Sequence, residues 1–360
     1  MQKVFKNKKV IITGHTGFKG SWLAMWMTMF GAKVIGFSDN FVSSPNHFQL
    51  LRLNKKIIHK KLDIRNLVQL KKLIKKYQPD FVFHLAAQSI VNSSYKDPLK
   101  TWSTNTIGTV NLLESLRQLK KKCTAVIVTS DKCYENFEIK RGYYENDRLG
   151  GKDPYSASKA SADIAIKSYI NSFFSHKNNN VFIATARAGN VIGGGDWSPD
   201  RLIPDCVRSW SKQKKVLIRN PNSTRPWQHV LEAIYGYISL AINLNKNPNL
   251  HGEAFNFGPS NAQNYNVISV VKLMKSYWAD VSWNLSKNSN KFFKESSLLK
   301  LNSQKAKKIL KWKAVLTFKE NIFFVTNWYK NFYLNPRQVY RLTKNQIEKY
   351  QQIIEKRIVK

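Results

Sequence analysis

The most constraining stretch of this chain lies near its N-terminus. An apolar, β-branched run at residues 10–13 leads directly into Gly14, His15, Thr16, Gly17, Phe18, Lys19 and Gly20. Glycine turns a strand tightly into a helix and lets backbone come close to a ligand. The helix that follows can meet an anion with the free amides of its first turn. Trp22, Met25, Trp26 and Met29 recur after the loop at helical spacing, and they read as the stripe that packs this helix on a sheet rather than as a ligand box. Strand, glycine loop and helix in this order point to a parallel sheet that holds a diphosphate.

The alternation continues along the first half. Residues 32–37, a further run ahead of Asp63, and residues 80–85, 124–128 and 181–186 read as strands. Helices are expected around Leu67, Leu70, Ile74 and Tyr77, over residues 105–119, and from Tyr155 through residue 170. This predicts an α/β protein with a Rossmann-type doubly wound parallel sheet joined by right-handed crossovers. We assign residues 1–185 to this cofactor-binding domain. Residues 186–335 are expected to form a smaller mixed α/β C-terminal substrate-binding domain, some segments of which return to the sheet, and residues 304–310 read as one of its helices. Residues 336–360 read as a basic amphipathic helix with Val339, Leu342, Ile347, Tyr350 and Ile354 along one side. Intramolecular packing, a subunit contact or a membrane surface would each suit that side.

Ligands of open parallel sheets lie at the carboxyl ends of the strands, so the residues there carry the functional reading. The second strand ends at Ser38 and Asp39. An acidic residue about twenty positions past the glycines accepts hydrogen bonds from ribose hydroxyls and repels a 2′-phosphate, which favours NAD over NADP. Asp39 can equally be a turn residue. Asp63 and Ile64 follow the third strand, and Leu85, Ala86 and Ala87 follow the fourth, where small side chains let a flat cofactor lie against backbone. His84 reads as a satisfied, partly buried histidine. With Thr16, Phe18, Asn105 and Thr129, these residues and Gly14, Gly17, Lys19 and Gly20 make up the candidate cofactor site.

The chemistry is concentrated between residues 129 and 159. Thr129, Ser130, Asp131 and Lys132 close the fifth strand. Tyr155 and Lys159 lie one helical turn apart, and an ammonium beside a phenol favours the phenolate. That makes Tyr155 a base for an alcohol. Further on, Gly193, Gly194 and Gly195 form either a ligand-approach loop or an ordinary one.

Composition bounds the partners. Lys and Arg number 59 against 22 Asp and Glu, a formal charge of +37 at pH 7, which raises nucleic acid as a ligand. The excess is diffuse. Lys71, Lys72, Lys75 and Lys76 alternate with the apolar positions of one predicted helix and read as its solvated face. The chain carries no zinc-finger spacing, basic zipper or aromatic RNA-recognition signature, so no specific nucleic-acid partner is expected. Three scattered cysteines suit neither a disulfide framework nor a metal site. The basic N-terminus runs into a strand and not into a cleavable signal, and no apolar stretch is long enough to span a bilayer. The expected location is cytoplasmic.

GHTGFKG, LAAQ (residues 85–88), TSDK (129–132) and YSASK (155–159) together resemble the extended short-chain dehydrogenase/reductases. The resemblance continues through ARAGNVIGGGDW (186–197), DRLIPD (200–205), TRPWQHV (224–230) and FNFGP (255–259). Within the family, GHTGFKGSW, TSDKCYEN and GNVIGGGDW resemble the branch that dehydrates CDP-glucose. The resemblance implies an NAD that is reduced and reoxidised in each turnover. It implies that Tyr155 takes the C4 hydroxyl proton, that Lys159 lowers the tyrosine pKa and holds the nicotinamide ribose, and that Ser130 holds the sugar oxygen. Asp131 matches the acid that protonates the departing C6 hydroxyl. Lys132 stands where most sugar-nucleotide dehydratases carry glutamate; it either removes the C5 proton as a neutral amine or pairs with Asp131 and positions it. Gln88, Asn190, Arg201, Leu202 and Ile203 are implied substrate contacts, with Arg208, Arg219 and Arg225 as guanidinium forks for the diphosphate. No metal is implied, and a homodimer through paired helices is. The alternatives are a dehydratase or 4-epimerase for a dTDP-, GDP- or UDP-hexose, and a non-catalytic NAD-binding protein associated with polyanions.

Overall fold

A computed structural model describes residues 1–176, 179–259, 265–286 and 298–359. Seven strands build the central sheet: β1 (Lys9–Thr13), β2 (Lys33–Ser38), β3 (Ile58–Lys61), β4 (Phe81–His84), β5 (Cys123–Val128), β6 (Val181–Ala188) and β7 (Ala254–Phe257). All pairings are parallel, in the order β7-β6-β5-β4-β1-β2-β3. The order reverses between β1 and β4, which opens a crevice beyond their carboxyl ends. The expected doubly wound sheet is present, and β7 extends it by a strand that sequence patterning did not mark.

Alternate side chains feed two cores. Val10, Ile12, Phe81, Phe83, Val126 and Val128 face one layer, whereas Ile11, Val82, Ala125 and Ile127 face the other. The first layer contains α1 (Phe18–Met29), and the second contains α2 (Leu67–Tyr77), α3 (Gly108–Leu116) and α4 (Pro154–Tyr169). Every residue of β5 is buried, as expected for a strand covered on both faces. On α1, Trp22, Met25 and Trp26 are buried, so the stripe is packing. On α2, Leu70 and Ile74 are buried while Lys72, Lys75 and Lys76 are exposed.

Two helices start or end differently from their patterns. The helix expected over residues 105–119 begins as a π-helical turn, Ser103–Ile107, before α3. Helix α4, which carries Tyr155 and Lys159, begins one residue ahead of Tyr155, because Pro154 takes the first helical position and Asp153 caps it, accepting from the Ser156 amide at 3.0 Å.

The second half of the chain adds α5 (Leu202–Trp210), α6 (Val230–Lys246), α7 (Val267–Tyr277), α8 (Phe318–Leu334) and α9 (Val339–Ile354). Three small strand pairs join them: Val191–Ile192 with Gln228–His229, Thr224–Arg225 with Tyr265–Asn266, and Val216–Ile218 with Trp283–Leu285. The amphipathic side of α9 packs intramolecularly. Val339, Ile347, Tyr350 and Ile354 are buried, and Tyr350 donates to Glu232 Oε2 on α6 at 2.7 Å. The three cysteines are free and buried. Among the described residues, no helix is long and apolar enough to cross a membrane.

Candidate active site

A cavity of about 1820 Å³ opens at the carboxyl ends of β1, β2, β4 and β5 and reaches the small strand pairs of the second half. The glycine loop forms one wall. Gly14 has φ +72°, and a Cβ there would lie 2.7 Å from the Ala86 amide nitrogen, so only glycine lets the loop sit against the exit of β4. A Cβ on Gly20 would stand 2.1 Å from the Gly14 carbonyl oxygen, which ties the start of α1 to the turn. Gly17 caps α1 with no side-chain hydrogen bond, leaving first-turn amides for an anion. Thr16 bridges the loop to the end of β2, with Oγ1 2.6 Å from Ser38 Oγ and donating to the Asn40 carbonyl at 2.7 Å. Asp39 is exposed at the cavity edge. Asp63 is held by Arg65, 2.6 Å away. The cradle, the uncapped helix start and the acidic strand end fit a dinucleotide.

The opposite wall is built by β5 and α4. Ser130 caps the short 3₁₀ turn Asp131–Cys133 and donates to Asp131 Oδ1 at 2.9 Å. Burial raises the pKa of the Asp131 carboxyl; Lys132, Ser130 and Lys19 oppose the shift. A carboxyl whose pKa is pushed up by burial holds its proton to higher pH than a free one, which suits it to give that proton away. Tyr155 is pushed up to about 12 by burial, against a hydrogen bond with Ser130. Desolvation thus outweighs Ser130 and Arg201, the groups that favour the phenolate here, and the eased ionisation expected of Tyr155 is not found. Burial lowers Lys159 to about 8, opposed by Asp163 one turn further along α4. Lys19 is lowered to about 8 as well, first by burial and then by Arg201, with Asp131 opposing.

Leu85, Ala86, Ala87, Gln88, Ile64, Thr129, Lys132, Asn190, Arg201, Leu202, Ile203, Arg219 and Arg225 all line the cavity. Arg201 pairs with Asp196 at 2.8 Å. Arg219 lies 3.3 Å from Asp205 and 3.7 Å from Asp200. Two anticipated contacts are not in the lining. Arg208 donates to the Trp197 carbonyl at 2.8 Å and pairs with Asp205, and it lines a neighbouring pocket with Arg219. Asn105 is a brace: it accepts from the Gln88 amide at 2.8 Å, and its Nδ2 donates to the Gln88 carbonyl at 3.0 Å and to Ser158 Oγ at 2.9 Å. Gly194 serves packing, since a Cβ there would lie 2.0 Å from the Trp328 ring. His84 is fully buried, more deeply than expected, with Thr13 Oγ1 at 2.7 Å and Thr109 Oγ1 at 3.2 Å from its ring nitrogens.

Sequence reasoning missed the layer beneath the site. Thr129 Oγ1 donates to Asp163 Oδ2 at 2.7 Å, and Asp163 pairs with Arg187 of β6. Arg187 donates to Tyr134 Oη at 2.8 Å, which in turn donates to Asn256 Oδ1 of β7 at 2.8 Å. The spacing of Tyr155, Lys159 and Asp163, four residues each, was the available signal.

A dinucleotide cradle facing a serine, a tyrosine and a lysine on a parallel doubly wound sheet defines a short-chain dehydrogenase/reductase type of protein. The family model described as GDP-mannose 4,6 dehydratase matches residues 11–323, and the chain belongs to this family. It is 43% identical over 330 residues to CDP-glucose 4,6-dehydratase of Salmonella typhimurium, covering 91% of each chain. It is 29% identical to CDP-paratose 2-epimerase of Salmonella typhi, over 75% of this chain and 84% of that one. Among solved structures, dTDP-glucose 4,6-dehydratase of Bacillus anthracis in complex with NAD matches with a TM-score of 0.72 at 23% identity, covering 90% of this chain and 97% of that one. An epimerase of Methanothermobacter thermautotrophicus matches with a TM-score of 0.77 at 22% identity, covering 94% and 96%.

Proposed function

We propose that this protein is a hydro-lyase that converts CDP-D-glucose to CDP-4-dehydro-6-deoxy-D-glucose with a tightly bound NAD. The observation that carries the reading is Asp131: a buried carboxyl with a raised pKa, hydrogen-bonded to Ser130 beside Tyr155. A 4-epimerase returns hydride to C4 and has no leaving hydroxyl to protonate. A dehydratase does.

When bound, NAD supplies the acceptor for the C4 hydride and returns that hydride to C6. The protein does the rest. Ser130 and Tyr155 hold the C4 hydroxyl; the phenol, raised to about 12, first gives up its own proton to solvent, and the phenolate then takes the alcohol proton as the carbonyl develops. Lys159 supplies positive charge one turn away. The new ketone acidifies the C5 proton, which a lysine amine removes while Asp131 protonates the C6 hydroxyl. We assign the diphosphate to Arg219 and Arg225, which line the cavity and carry guanidinium forks that match phosphate oxygens. The reading extends to a homodimer, supported by Ile107 ahead of α3 and Ile164 on α4, which are 52% and 56% exposed. It also extends to a cytoplasmic role in deoxysugar synthesis for lipopolysaccharide O-antigen.

Incubation of the purified protein with CDP-, dTDP-, GDP- and UDP-hexoses, followed by the absorbance of a 4-keto-6-deoxy product in alkali, tests the proposal. Product is expected from CDP-glucose. Its absence there sinks the assignment, and product from another nucleotide alone reassigns the substrate.

A further inference from the structure

The glycine loop and the end of β2 take the dinucleotide, and Ser130, Tyr155 and Lys159 face the reacting carbons. The rest of the cavity lies between α5 and the strand Val216–Ile218, with Arg219 and Arg225 in its lining. A sugar held at Tyr155 has to extend its diphosphate and base into that part. A recess of about 370 Å³ adjoins it, and Asp205, Val216, Leu217 and Arg219 line both spaces.

The strand there has one free edge. Val216–Ile218 pairs in parallel with Trp283–Leu285, the Val216 amide donating to the Ser282 carbonyl at 3.2 Å and the Ser286 amide to the Ile218 carbonyl at 2.9 Å. Residues 216 and 218 therefore turn to that partner, and the amide and carbonyl of Leu217 turn to the other side. No strand among the described residues pairs there. A free donor beside a free acceptor can pair with the N3 and 4-amino group of cytosine, or with the N3–H and 4-carbonyl of uracil. Backbone alone does not choose between the two, so the choice falls to a side chain.

Asp205 can make that choice. A carboxylate is unexpected in a cavity that takes diphosphates, because like charges repel. This one is fixed in place: Arg208 pairs with Oδ1, and Arg219 Nη2 lies 3.3 Å from Oδ2. Its side chain is still 30% exposed. An ionised carboxylate only accepts hydrogen bonds. The 4-amino group of cytosine donates, whereas thymine and uracil carry an acceptor oxygen at the same position. Asp200, the other acid beside Arg219, is exposed and accepts from Asn92 Nδ2 at 3.0 Å; it lines the cavity but not the recess.

Resting on the CDP-sugar reading, we infer that Asp205 selects the base, accepting from the 4-amino group of cytosine and turning away the 4-carbonyl of uracil and thymine. Arg208 and Arg219 are its positioning residues. Arg219 thus has two tasks, the diphosphate and this carboxylate.

Calorimetry on the holoprotein with CDP, UDP, GDP and the CDP analogue whose base lacks the 4-amino group tests the inference. CDP is expected to bind at least about 10-fold more tightly than UDP or the analogue, since each loses a hydrogen bond to a charged group. This series does not depend on any variant folding. Asp205→Asn offers an amide that donates as well as accepts, so its CDP-to-UDP ratio is expected to fall by about 10-fold. In Asp205→Leu the advantage of CDP over the analogue should vanish. Equal binding of CDP and the analogue by the unaltered protein overturns the inference, as does GDP bound as tightly as CDP. A loss of all four ligands by one common factor in both variants makes Asp205 structural and overturns it too. Conversion of CDP-glucose is scored separately: selection of CDP without turnover keeps the inference and removes the reaction, and turnover without selection does the reverse.

Discussion

Arg187 and Asp163 form an ion pair 2.8 Å long, with side chains 5% and 3% exposed. The pair ties β6 to α4, the helix of Tyr155 and Lys159, and Thr129 donates to the same carboxylate. A buried pair adds little net stability, but removal of one partner strands the other charge. Asp163→Ala is therefore expected to cost about 3–5 kcal/mol, measured by denaturant unfolding. The double variant Asp163→Leu, Arg187→Met should recover much of that loss. Equal destabilisation by the double and the single variants would show that packing, not charge, accounts for the cost.

Tyr155 and Ser130 share a hydrogen bond, and both line the cavity. Tyr155→Phe keeps the ring and removes the proton carrier. Its kcat is expected to fall about 10²–10⁴-fold, the usual contribution of a positioned acid or base. The melting temperature should move by only a few degrees, because one hydrogen bond is worth about 1 kcal/mol. A Tyr155→Phe variant with unchanged kcat would remove the residue from the chemistry.

Asp39 directly follows β2 in the lining of the cavity, next to Ser38, whose hydroxyl lies 2.6 Å from Thr16 Oγ1. A carboxylate there repels a 2′-phosphate, so Asp39→Ala is expected to narrow the preference for NAD over NADP in equilibrium binding. The ratio should change by about tenfold, the effect of roughly 1.4 kcal/mol. An unchanged ratio would make Asp39 a turn residue and nothing more.

The parts of the site that were legible in the sequence are local in character. The glycine cradle follows β1 directly, and Tyr155 and Lys159 share a turn of α4, so short-range geometry alone places them. What was hidden depends on long-range packing. β7 is a four-residue run, too short for its periodicity to separate it from any buried segment. Asp163 meets Arg187 only because α4 packs on the sheet where β6 lies beside β5. The directions of long side chains were equally unreadable, since Arg208 turns to the Trp197 carbonyl and Lys19 to Tyr237.

Glu232 shows how the C-terminal helix is fastened and provides a test in pH. It is buried on α6, where Oε1 accepts from the amides of Val315 and Leu316 at 2.8 and 2.6 Å and Oε2 from Tyr350 of α9. Burial raises its pKa from 4.5 to about 7, against those hydrogen bonds and the nearby Arg357. Between these values the folded protein holds a proton that the unfolded chain has released. Stability linked to Glu232 is therefore complete below pH 4.5 and is lost as pH rises through about 7. Glu232→Gln cannot titrate. The stability of wild type relative to this variant should fall by about 3 kcal/mol between pH 4.5 and 8, read by urea unfolding at each pH. A difference that stays constant over that range would show that the carboxylate is ionised throughout, with its three donors outweighing burial.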